Sequence, residues 1–531
     1  MPIAASPFAA PAADPDQVGR AVAQMAPAGV ESTVETRETH ISWLFLTGDR
    51  AYKLKKPLVL SFLDYGTPQR RREMCLAEVR LNRRLAGDLY LGVRGLAPTP
   101  VGFELVDDDD PRAIDYLVEM RRYDEQTLLS AVLQRSELTD TQITDLARTL
   151  ASFHSGCTPV RGGRNRGAEA VLREVDRNVQ EVLEDVGPRS RRERVLALSR
   201  FMSAFIASRR AELDERAARG CVKECHGDLR AEHVLLGSAI RVVDCVEFDL
   251  GLRTVDVADD LAFLVMDLAA LGGERYAGEL IDAYRAAGGD CGSDALLAFF
   301  AVHRALVRAK VMLVRAAQHP PASDRHRHAS AGAEALLALA QRFAWQARGP
   351  LAIVVCGLPA SGKSSVAAAL SAASGLPQIS SDIVRKQLAG LAPQERGSPE
   401  LYLPDFDART YAELGRRAAD QLRSQAGVVV DATFRHRRDR GVFYDAFGDA
   451  APMLFVQCQA PAHVLARRAE ARERDPARVS DADLEVVLRE RDAWEPLGEI
   501  PAEACLTLRT DRGVEATLAD LTALVDQRGR P

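Results

Sequence analysis

One stretch decides the fold of the C-terminal part of this chain, and it reads Leu351-Ala352-Ile353-Val354-Val355-Cys356-Gly357-Leu358-Pro359-Ala360-Ser361-Gly362-Lys363-Ser364-Ser365. The apolar run before Gly357 is typical of a buried strand, and residues 357–364 fit the phosphate-binding pattern GxxxxGK(S/T). In this pattern backbone N–H groups surround the phosphates at the start of a helix, Lys363 reaches the outer phosphates and the Ser364 hydroxyl is placed for Mg²⁺. The sequence therefore predicts that residues 357–365 bind a nucleoside triphosphate, with Lys363 as a catalytic cation.

The composition of the 531 residues is that of an ordinary globular protein, with 47% hydrophobic and 27% charged residues. A formal net charge of −6 gives no support for a nucleic-acid partner, without excluding one. The nine cysteines lack the paired spacing of a zinc site and indicate reduced thiols in the cytoplasm. No apolar stretch has the length of a membrane span, so we expect no membrane partner. These data leave the oligomeric state open.

A second candidate site lies upstream, in Cys225-His226-Gly227-Asp228-Leu229-Arg230-Ala231-Glu232-His233. A strand that ends at Asp244 follows it. An Asp on a tight loop, a ligand-type residue five positions on and another Asp at a strand end have the spacing of a kinase catalytic loop and its metal-binding Asp. We expect Asp228 to accept the proton of an attacking hydroxyl, and His233 and Asp244 to hold Mg²⁺.

Residues 35–320 resemble the aminoglycoside phosphotransferase family, kinase-like enzymes that use His-Gly-Asp where protein kinases use His-Arg-Asp. The resemblance includes a helix behind the catalytic loop, in which either Asp256 or Asp260 takes the structural role. The family places Asn where this chain has His233, and because imidazole suits softer ions, Mn²⁺ is an alternative to Mg²⁺ at this site. The chain also lacks the Gly-rich phosphate loop of protein kinases.

Basic residues on one strand face identify the lysine of this predicted kinase site. Tyr52 and Leu54 alternate with Lys53 and Lys55, which is typical of a strand with two different faces. We predict that Lys53 contacts ATP. The helix that follows offers Glu73 and Glu78 as ion-pair partners, and Glu78, in mid-helix, is the stronger candidate.

Beyond residue 350 strands and helices alternate, which predicts a parallel sheet covered on both faces. Asp382 follows a short strand and Asp431 ends a buried one, so both are expected at the carboxyl edge of the sheet, where ligands bind. Asp431 is a candidate for the Mg²⁺ shell. An Arg-rich helix follows the next strand.

This order resembles the small P-loop kinases grouped with polynucleotide 5′-kinase, zeta-type toxins and gluconate kinase. The resemblance implies that Asp382 activates the substrate hydroxyl and that Arg385 binds a substrate anion. It also implies that lid arginines clamp the transferring phosphate. The candidate lid arginines are Arg467, Arg468, Arg472 and Arg474.

The predicted fold class is a mixture of α/β and α+β. The N-terminal part is expected to have a bilobal protein-kinase-like fold, and the C-terminal part a P-loop parallel sheet with helices on both faces. The predicted segments are a disordered leader (1–34), the kinase-like domain (35–320), a connector and helix (321–349) and the P-loop kinase domain (350–531).

The leading functional hypothesis is a fusion of two kinases, each transferring the γ-phosphoryl group of ATP to a hydroxyl of a small-molecule acceptor. One alternative is that the P-loop part phosphorylates nucleotide or polynucleotide 5′ ends through the arginines after Asp431, which are Arg435, Arg437, Arg438 and Arg440. Another is that the N-terminal part is a pseudokinase that regulates the P-loop part. Neither part reveals its acceptor, because acceptor pockets in these folds carry no readable code.

Overall fold

The computed structural model describes residues 13–24, 33–60, 63–160, 167–423, 427–473 and 493–528. Its strands, numbered along the chain, are β1 (Glu35–Glu38), β2 (Ser42–Thr47), β3 (Arg50–Lys55), β4 (Val59–Leu60), β5 (Leu63–Asp64), β6 (Tyr90–Thr99), β7 (Gly102–Asp107), β8 (Asp115–Arg121), β9 (Val222–Glu224), β10 (Val234–Leu236), β11 (Ile240–Val242), β12 (Thr254–Asp256), β13 (Leu351–Cys356), β14 (Gln378–Ser380), β15 (Gly427–Asp431), β16 (Met453–Gln459) and β17 (Cys505–Arg509). Its helices are α1 (Pro15–Ala23), α2 (Pro68–Ala86), α3 (Leu129–Gln134), α4 (Asp140–Gly156), α5 (Ala168–Glu184), α6 (Arg189–Ser208), α7 (Arg210–Ala218), α8 (Leu250–Arg253), α9 (Val257–Ala270), α10 (Glu274–Ala286), α11 (Asp294–Ala317), α12 (Asp324–Ala347), α13 (Lys363–Ser374), α14 (Ser381–Leu388), α15 (Pro404–Leu422), α16 (Arg437–Phe447), α17 (Ala462–Glu473) and α18 (Val514–Arg528). Among the helices described here, none is long and apolar enough to cross a membrane.

These elements form two compact units, and each unit is built from separate stretches of chain. The first comprises residues 1–170, 211–292 and 318–326, and the second comprises residues 171–210, 293–317 and 327–531. The predicted segments follow the chain without interruption, whereas helices α6 and α11 belong to the same unit as the P-loop sheet. Sequence periodicity shows that a helix has an apolar face but not which surface covers it.

The first unit contains a six-stranded antiparallel sheet in the order β1-β2-β3-β8-β6-β7. Side chains alternate across β3, so Ala51 packs in the core beside helix α2 while Tyr52 and Leu54 pack on the opposite face. The strand pairs β9–β12 and β10–β11 and helices α3, α4, α9 and α10 complete this unit. The arrangement confirms the predicted kinase-like fold.

Helix α1 covers the second face of this sheet, which corrects the prediction of a fully disordered leader. Val18 and Val22 are completely buried beside Tyr52 and Leu54. The Asp14 side chain accepts a hydrogen bond from the first turn of the helix, which is a favourable N-cap. Burial of this apolar stripe explains the helix in an Ala/Pro-rich segment. Outside the described residues lie 1–12 and 25–32.

The second unit contains a five-stranded parallel sheet in the order β14-β15-β13-β16-β17. Ile353 and Val355 face a core that includes α13 and α18, and Ala352 and Val354 face a core that includes α15 and α16. Both faces of β13 are therefore buried, which explains its continuous apolar run. The predicted P-loop sheet with helices on both faces is confirmed.

Arg348 connects the helices of the second unit to its sheet domain. The guanidinium donates to Asp526 of α18 at 3.0 and 2.6 Å. It also lies over the rings of Phe201 in α6 and Trp345 in α12, at 4.6 and 4.4 Å from their centroids. These contacts join α6, α12 and α18 within one core.

Candidate active sites

The first candidate site centres on Lys53 of β3. Its ammonium donates to Glu78 Oε1 of α2 at 3.0 Å and to Asp244 Oδ1 at 2.8 Å. Burial lowers the pKa of Lys53, but the charges of Asp244 and Glu78 outweigh this effect and raise the pKa well above its ordinary value. The structure thus brings together three residues that the sequence predicted. Glu73 instead pairs with Arg70 on the surface.

Asp244 is held in an unusual backbone conformation. Its φ of +60° lies in the left-handed region that residues other than glycine seldom adopt. The adjacent Cys245 N–H donates to Asn82 Oδ1 of α2 at 2.9 Å, which anchors the loop. Burial raises the pKa of Asp244, but the Lys53 ammonium lowers it well below its usual range. This ionised carboxylate, 43% exposed, fits an Mg²⁺ ligand.

Asp228, the predicted base, is held by an arginine of its own loop. Arg230 Nε donates to Asp228 Oδ1 at 2.7 Å, and Arg230 Nη2 donates to Asp228 Oδ2 at 2.8 Å. Burial raises the pKa of Asp228, but the Arg230 charge reverses this effect, so the net pKa is lowered. The carboxylate is ionised, as a base must be, but both of its oxygens already accept hydrogen bonds.

His233 is placed in the catalytic loop as predicted, but not with a nitrogen available for a metal. Its Nδ1 lies 2.8 Å from the Asp228 carbonyl oxygen, which only a protonated nitrogen can contact favourably. The other nitrogen, Nε2, lies 3.1 Å from Arg230 Nη2 and accepts from it. A metal at His233 would have to displace Arg230. The sequence pattern gave no indication of this contact with Arg230. The expectation of Mn²⁺ depended on an imidazole ligand to the metal, and this geometry does not provide one.

Asp260, rather than Asp256, supports the catalytic loop from behind. Its carboxylate accepts the backbone N–H groups of His226 at 3.1 Å and Gly227 at 2.8 Å, and it pairs with His154 Nε2 at 3.0 Å. Asp256 instead forms a two-bond ion pair with Arg216, which is outside the loop. The structure therefore decides between the two aspartates that the sequence left open.

His226 gives the first unit a predicted pH dependence. Burial lowers the pKa of His226 from 6.5 to about 4. The unfolded chain therefore binds more protons than the folded protein between these values, and stability should fall as the pH falls through this window, by up to about 3 kcal/mol for this one group. The test is urea unfolding at pH 7.5 and pH 5, in which limited proteolysis reports the unfolding of the first unit through the peptides that contain β3. The same pH slope in His226→Gln would contradict the assignment.

Lys55 also belongs to this site, although the sequence analysis assigned it no role. Its ammonium contacts Glu78 Oε2 at 2.6 Å and Glu247 Oε1 at 2.5 Å, and its side chain is completely buried. The sequence did contain a signal for Lys55, because residues at positions i and i+2 of a strand, such as Lys53 and Lys55, lie on the same face.

The second candidate site is the loop between β13 and α13. Gly357 has a φ of +144°, and a Cβ there would lie 2.6 Å from the Cys458 carbonyl oxygen, so only glycine fits. Gly362, at φ +89°, caps α13 in the left-handed conformation. Lys363 is 7% exposed at the first position of that helix. This is the phosphate-binding geometry that the motif predicted.

The parallel sheet brings the other predicted residues to the same edge. Asp431 ends β15 in register with Val355 of β13, one residue before the strand ends. Ser380 of β14 pairs with Asp431, and Asp382 lies in the first turn of the helix that follows. The P-loop and both carboxylates therefore lie at the carboxyl ends of adjacent strands.

The guanidinium of Arg385 is partly engaged within the protein. It is buried, and its Nη1 donates to Asp407 Oδ1 at 2.5 Å and to the Leu401 carbonyl oxygen at 2.6 Å. Its guanidinium also lies over the Tyr402 ring. An internal carboxylate thus pairs with this charge, but Nε has no hydrogen-bond partner among the described residues, and the implied role of Arg385 as a substrate-anion ligand stays a prediction.

Two of the four candidate lid arginines have described side chains, and only one contacts the P-loop region. Arg468 Nη2 donates to the Thr510 carbonyl oxygen at 2.5 Å. Arg468 Nη1 lies beside Gly362 of the P-loop, 3.1 Å from the position that a Cβ atom would occupy on that glycine. Arg467, on the same helix, is exposed. Arg472 lies in the last turn of α17, and Arg474 lies outside the described residues.

The arginines after Asp431 do not form one surface. Arg440 is completely buried and donates to the carbonyl oxygens of Phe434 and Pro496. Arg437 and Arg438 are exposed, and Arg435 is half-buried against His436. Arg440 therefore has a structural role and is not part of a phosphate groove.

Comparisons with known proteins match the two parts of the chain that carry these sites. Residues 42–297 match the model of the phosphotransferase enzyme family, and residues 353–497 match a model described as an AAA domain. With the sites described above, these matches define the class: the protein is a kinase, a phosphotransferase with an alcohol group as acceptor. It joins an aminoglycoside phosphotransferase-like domain to a P-loop kinase-like domain.

A relative aligns with this chain over most of its length. An uncharacterized protein of Mycobacterium tuberculosis is 31% identical over 456 residues, which are 83% of this chain and 87% of the relative. An uncharacterized protein of Mycobacterium bovis matches to the same extent. The chain belongs to the family of these mycobacterial proteins.

Two solved structures align with portions of the chain. A choline/ethanolamine kinase family protein from Mesorhizobium loti is 16% identical and covers 61% of this chain and 98% of its own, with a TM-score of 0.37. A gluconokinase from Sinorhizobium meliloti is 22% identical and covers 34% of this chain and 94% of its own, with a TM-score of 0.25. At these scores neither likeness decides fold or function.

Proposed function

We propose that the protein transfers the γ-phosphoryl group of ATP to hydroxyl groups of small-molecule acceptors at two separate sites. The observation that carries this proposal is the ion-pair arrangement of Lys53 with Glu78 and Asp244, which places a cation and a metal-binding carboxylate together as phosphoryl transfer requires. The P-loop with Asp382 and Asp431 supports the second site.

Oxygen donors at both sites fit Mg²⁺. Asp244 would hold the ion in the first unit, and Ser364 and Asp431 would hold it in the second. The bound ion would neutralise charge on the phosphates. In the first unit Lys53 orients the nucleotide and Asp228 accepts the acceptor's proton once Arg230 releases one of its oxygens. In the second unit Lys363 stabilises charge on the transferring group, and Asp382 accepts the proton.

The proposal is tested by profiling ATP consumption of the full chain against sugars, amino alcohols, nucleosides and 5′-hydroxyl oligonucleotides. Lys363→Ala and Asp228→Asn variants assign each activity to one site. Turnover with 5′-hydroxyl oligonucleotides alone would instead favour a polynucleotide kinase, although burial of Arg440 removes one of its expected phosphate ligands.

We place the protein in the cytoplasm, which agrees with nine free cysteines.

A pseudokinase role for the first unit is favoured by one observation. Arg230 occupies both oxygens of Asp228, so the base is not free in this structure. Under this alternative, the first unit binds nucleotide without transferring phosphate. ATP binding to the Lys363→Ala protein without turnover of any acceptor would support it.

Asp382→Asn should separate binding from chemistry in the second unit. The amide keeps the shape of the side chain but cannot accept a proton, so we expect acceptor phosphorylation to fall by about 10²–10⁴-fold while ATP affinity is retained. The measurements are phosphorylation of an acceptor found by the profiling and ATP binding by calorimetry. Asp445→Asn, at an exposed position of α16, is the matched control. An equal loss of ATP affinity would place Asp382 on the metal.

A further inference from the structure

A second buried lysine joins three parts of the first unit. Lys55 Nζ contacts Glu78 Oε2 of α2 at 2.6 Å, Glu247 Oε1 at 2.5 Å and the Tyr65 hydroxyl at 3.3 Å. Burial lowers the pKa of Lys55, but the charges of Glu247 and Glu78 raise it well above its ordinary value. Lys55 is therefore charged, and its side chain has no exposed surface.

These contacts restrict Glu78, the partner of Lys53. One of its oxygens accepts from Lys53 and the other from Lys55. If α2 moved away from the sheet, both lysines would lose this partner, and only Glu247 would remain to compensate the buried charge of Lys55. The Lys53–Glu78 pair is thus stabilised by Lys55, a residue with no exposed surface of its own.

Glu247 extends this restriction to the loop that carries Asp244. It lies three residues after Asp244 and is 7% exposed at its side chain. Its backbone carbonyl oxygen also accepts from Arg253 Nη1 at 3.2 Å. The loop therefore has a second anchor after Asp244, at Glu247, in addition to the contact of the adjacent Cys245 with Asn82, and these contacts can maintain the left-handed backbone at Asp244.

We propose that Lys55 and Glu247 are positioning residues that hold the Asp244 loop against β3 and α2, so that the metal and nucleotide site of the first unit is assembled before ATP binds. The role of these residues in nucleotide binding rests on the proposed function, whereas the contacts that restrain the loop are a property of the fold. It predicts that the site needs no movement of α2 to become competent.

The test uses the full chain in a Lys363→Ala background, so that nucleotide binding at the P-loop is suppressed. The variants are Glu247→Gln, Lys55→Met and Tyr65→Phe. The matched control is Lys56→Met, because Lys56 is the next residue but pairs with Glu38 and the Thr39 carbonyl oxygen away from this network. Two quantities are measured: hydrogen exchange of residues 243–249 without nucleotide, and ATP affinity with and without Mg²⁺.

We expect Glu247→Gln to increase exchange in residues 243–249 at least about tenfold, with no change in strand β13. We also expect it to weaken ATP affinity by at least about tenfold with Mg²⁺ and by much less without Mg²⁺. Lys55→Met should have larger effects of the same kind, and Lys56→Met should have none. If Lys55→Met fails to fold, Glu247→Gln and Tyr65→Phe decide the question.

Unchanged exchange in residues 243–249 and unchanged Mg²⁺-dependent affinity in Glu247→Gln would overturn the inference, even if the unfolding midpoint fell, because a purely structural ion pair would lower only the midpoint. If the Lys363→Ala protein itself binds no ATP, the proposed function of the first unit fails instead. In that case the exchange measurement still decides whether Lys55 and Glu247 hold the loop.

Discussion

Lys363→Ala should lower ATP turnover at the P-loop by about 10²–10³-fold, by analogy with the loss of one preorganised donor to a developing negative charge. Lys363 is 7% exposed at the start of α13, so its charge acts where water screens it weakly. Folding should survive. The measurement is ATP turnover by the full chain in an Asp228→Asn background, which removes the contribution of the first unit.

Lys310→Ala is the matched control for this prediction. Lys310 of α11 lies in the same unit as Lys363, but it pairs with Glu181 of α5 and is remote in sequence from the P-loop. It should leave turnover unchanged. Turnover that is the same in Lys363→Ala and in the control would show that residues 357–364 are not the catalytic phosphate loop.

Asp228→Asn should abolish most phosphoryl transfer by the first unit, with a loss of about 10²–10⁴-fold. The asparagine keeps a hydrogen-bonding oxygen for Arg230 but cannot take the acceptor's proton. The measurement is phosphorylation of each acceptor by the full chain in the Lys363→Ala background. ATP affinity with Mg²⁺ should change little, because Asp244 and Lys53 remain.

Asp249→Asn is a suitable comparison for Asp228→Asn. Asp249 caps the short helix α8, where its side chain accepts backbone N–H groups that an asparagine oxygen can also accept. It should retain activity. Full activity of Asp228→Asn would mean that the catalytic loop has another base, and that the role assigned to Asp228 is wrong.

The sequence predicted those features that local chemistry determines. The P-loop required glycines where the backbone has positive φ. The alternation of β3 placed basic residues on one strand face, and the mid-helix position of Glu78 made it the candidate partner of Lys53. The carboxyl-edge positions of Asp382 and Asp431 followed from the rule that parallel strands end at the same edge. Each of these depends on spacing within one element or on the order of neighbouring elements.

The features that were missed depend on contacts between residues far apart in the chain. The ion pair of Arg385 with Asp407 was missed because the two residues lie 22 positions apart and no pattern connects them. The choice between Asp256 and Asp260 required Arg216, which takes the first of them. The metal role of His233 depended on the reach of Arg230, which a linear pattern does not show.

The second unit also has a consequence for how the protein is made. Residues 171–210 are synthesised about 180 residues before strand β13, which at cellular elongation rates is about 10–40 s. During this interval Phe201 of α6 lacks Arg348, whose guanidinium lies over the rings of both Phe201 and Trp345 in the finished core. Helix α6 can pack against α11 through Phe205 and Phe299 once α11 has emerged, but the Phe201 ring has to wait for Arg348. The nascent chain has to remain soluble in this state until the last third of the protein has emerged.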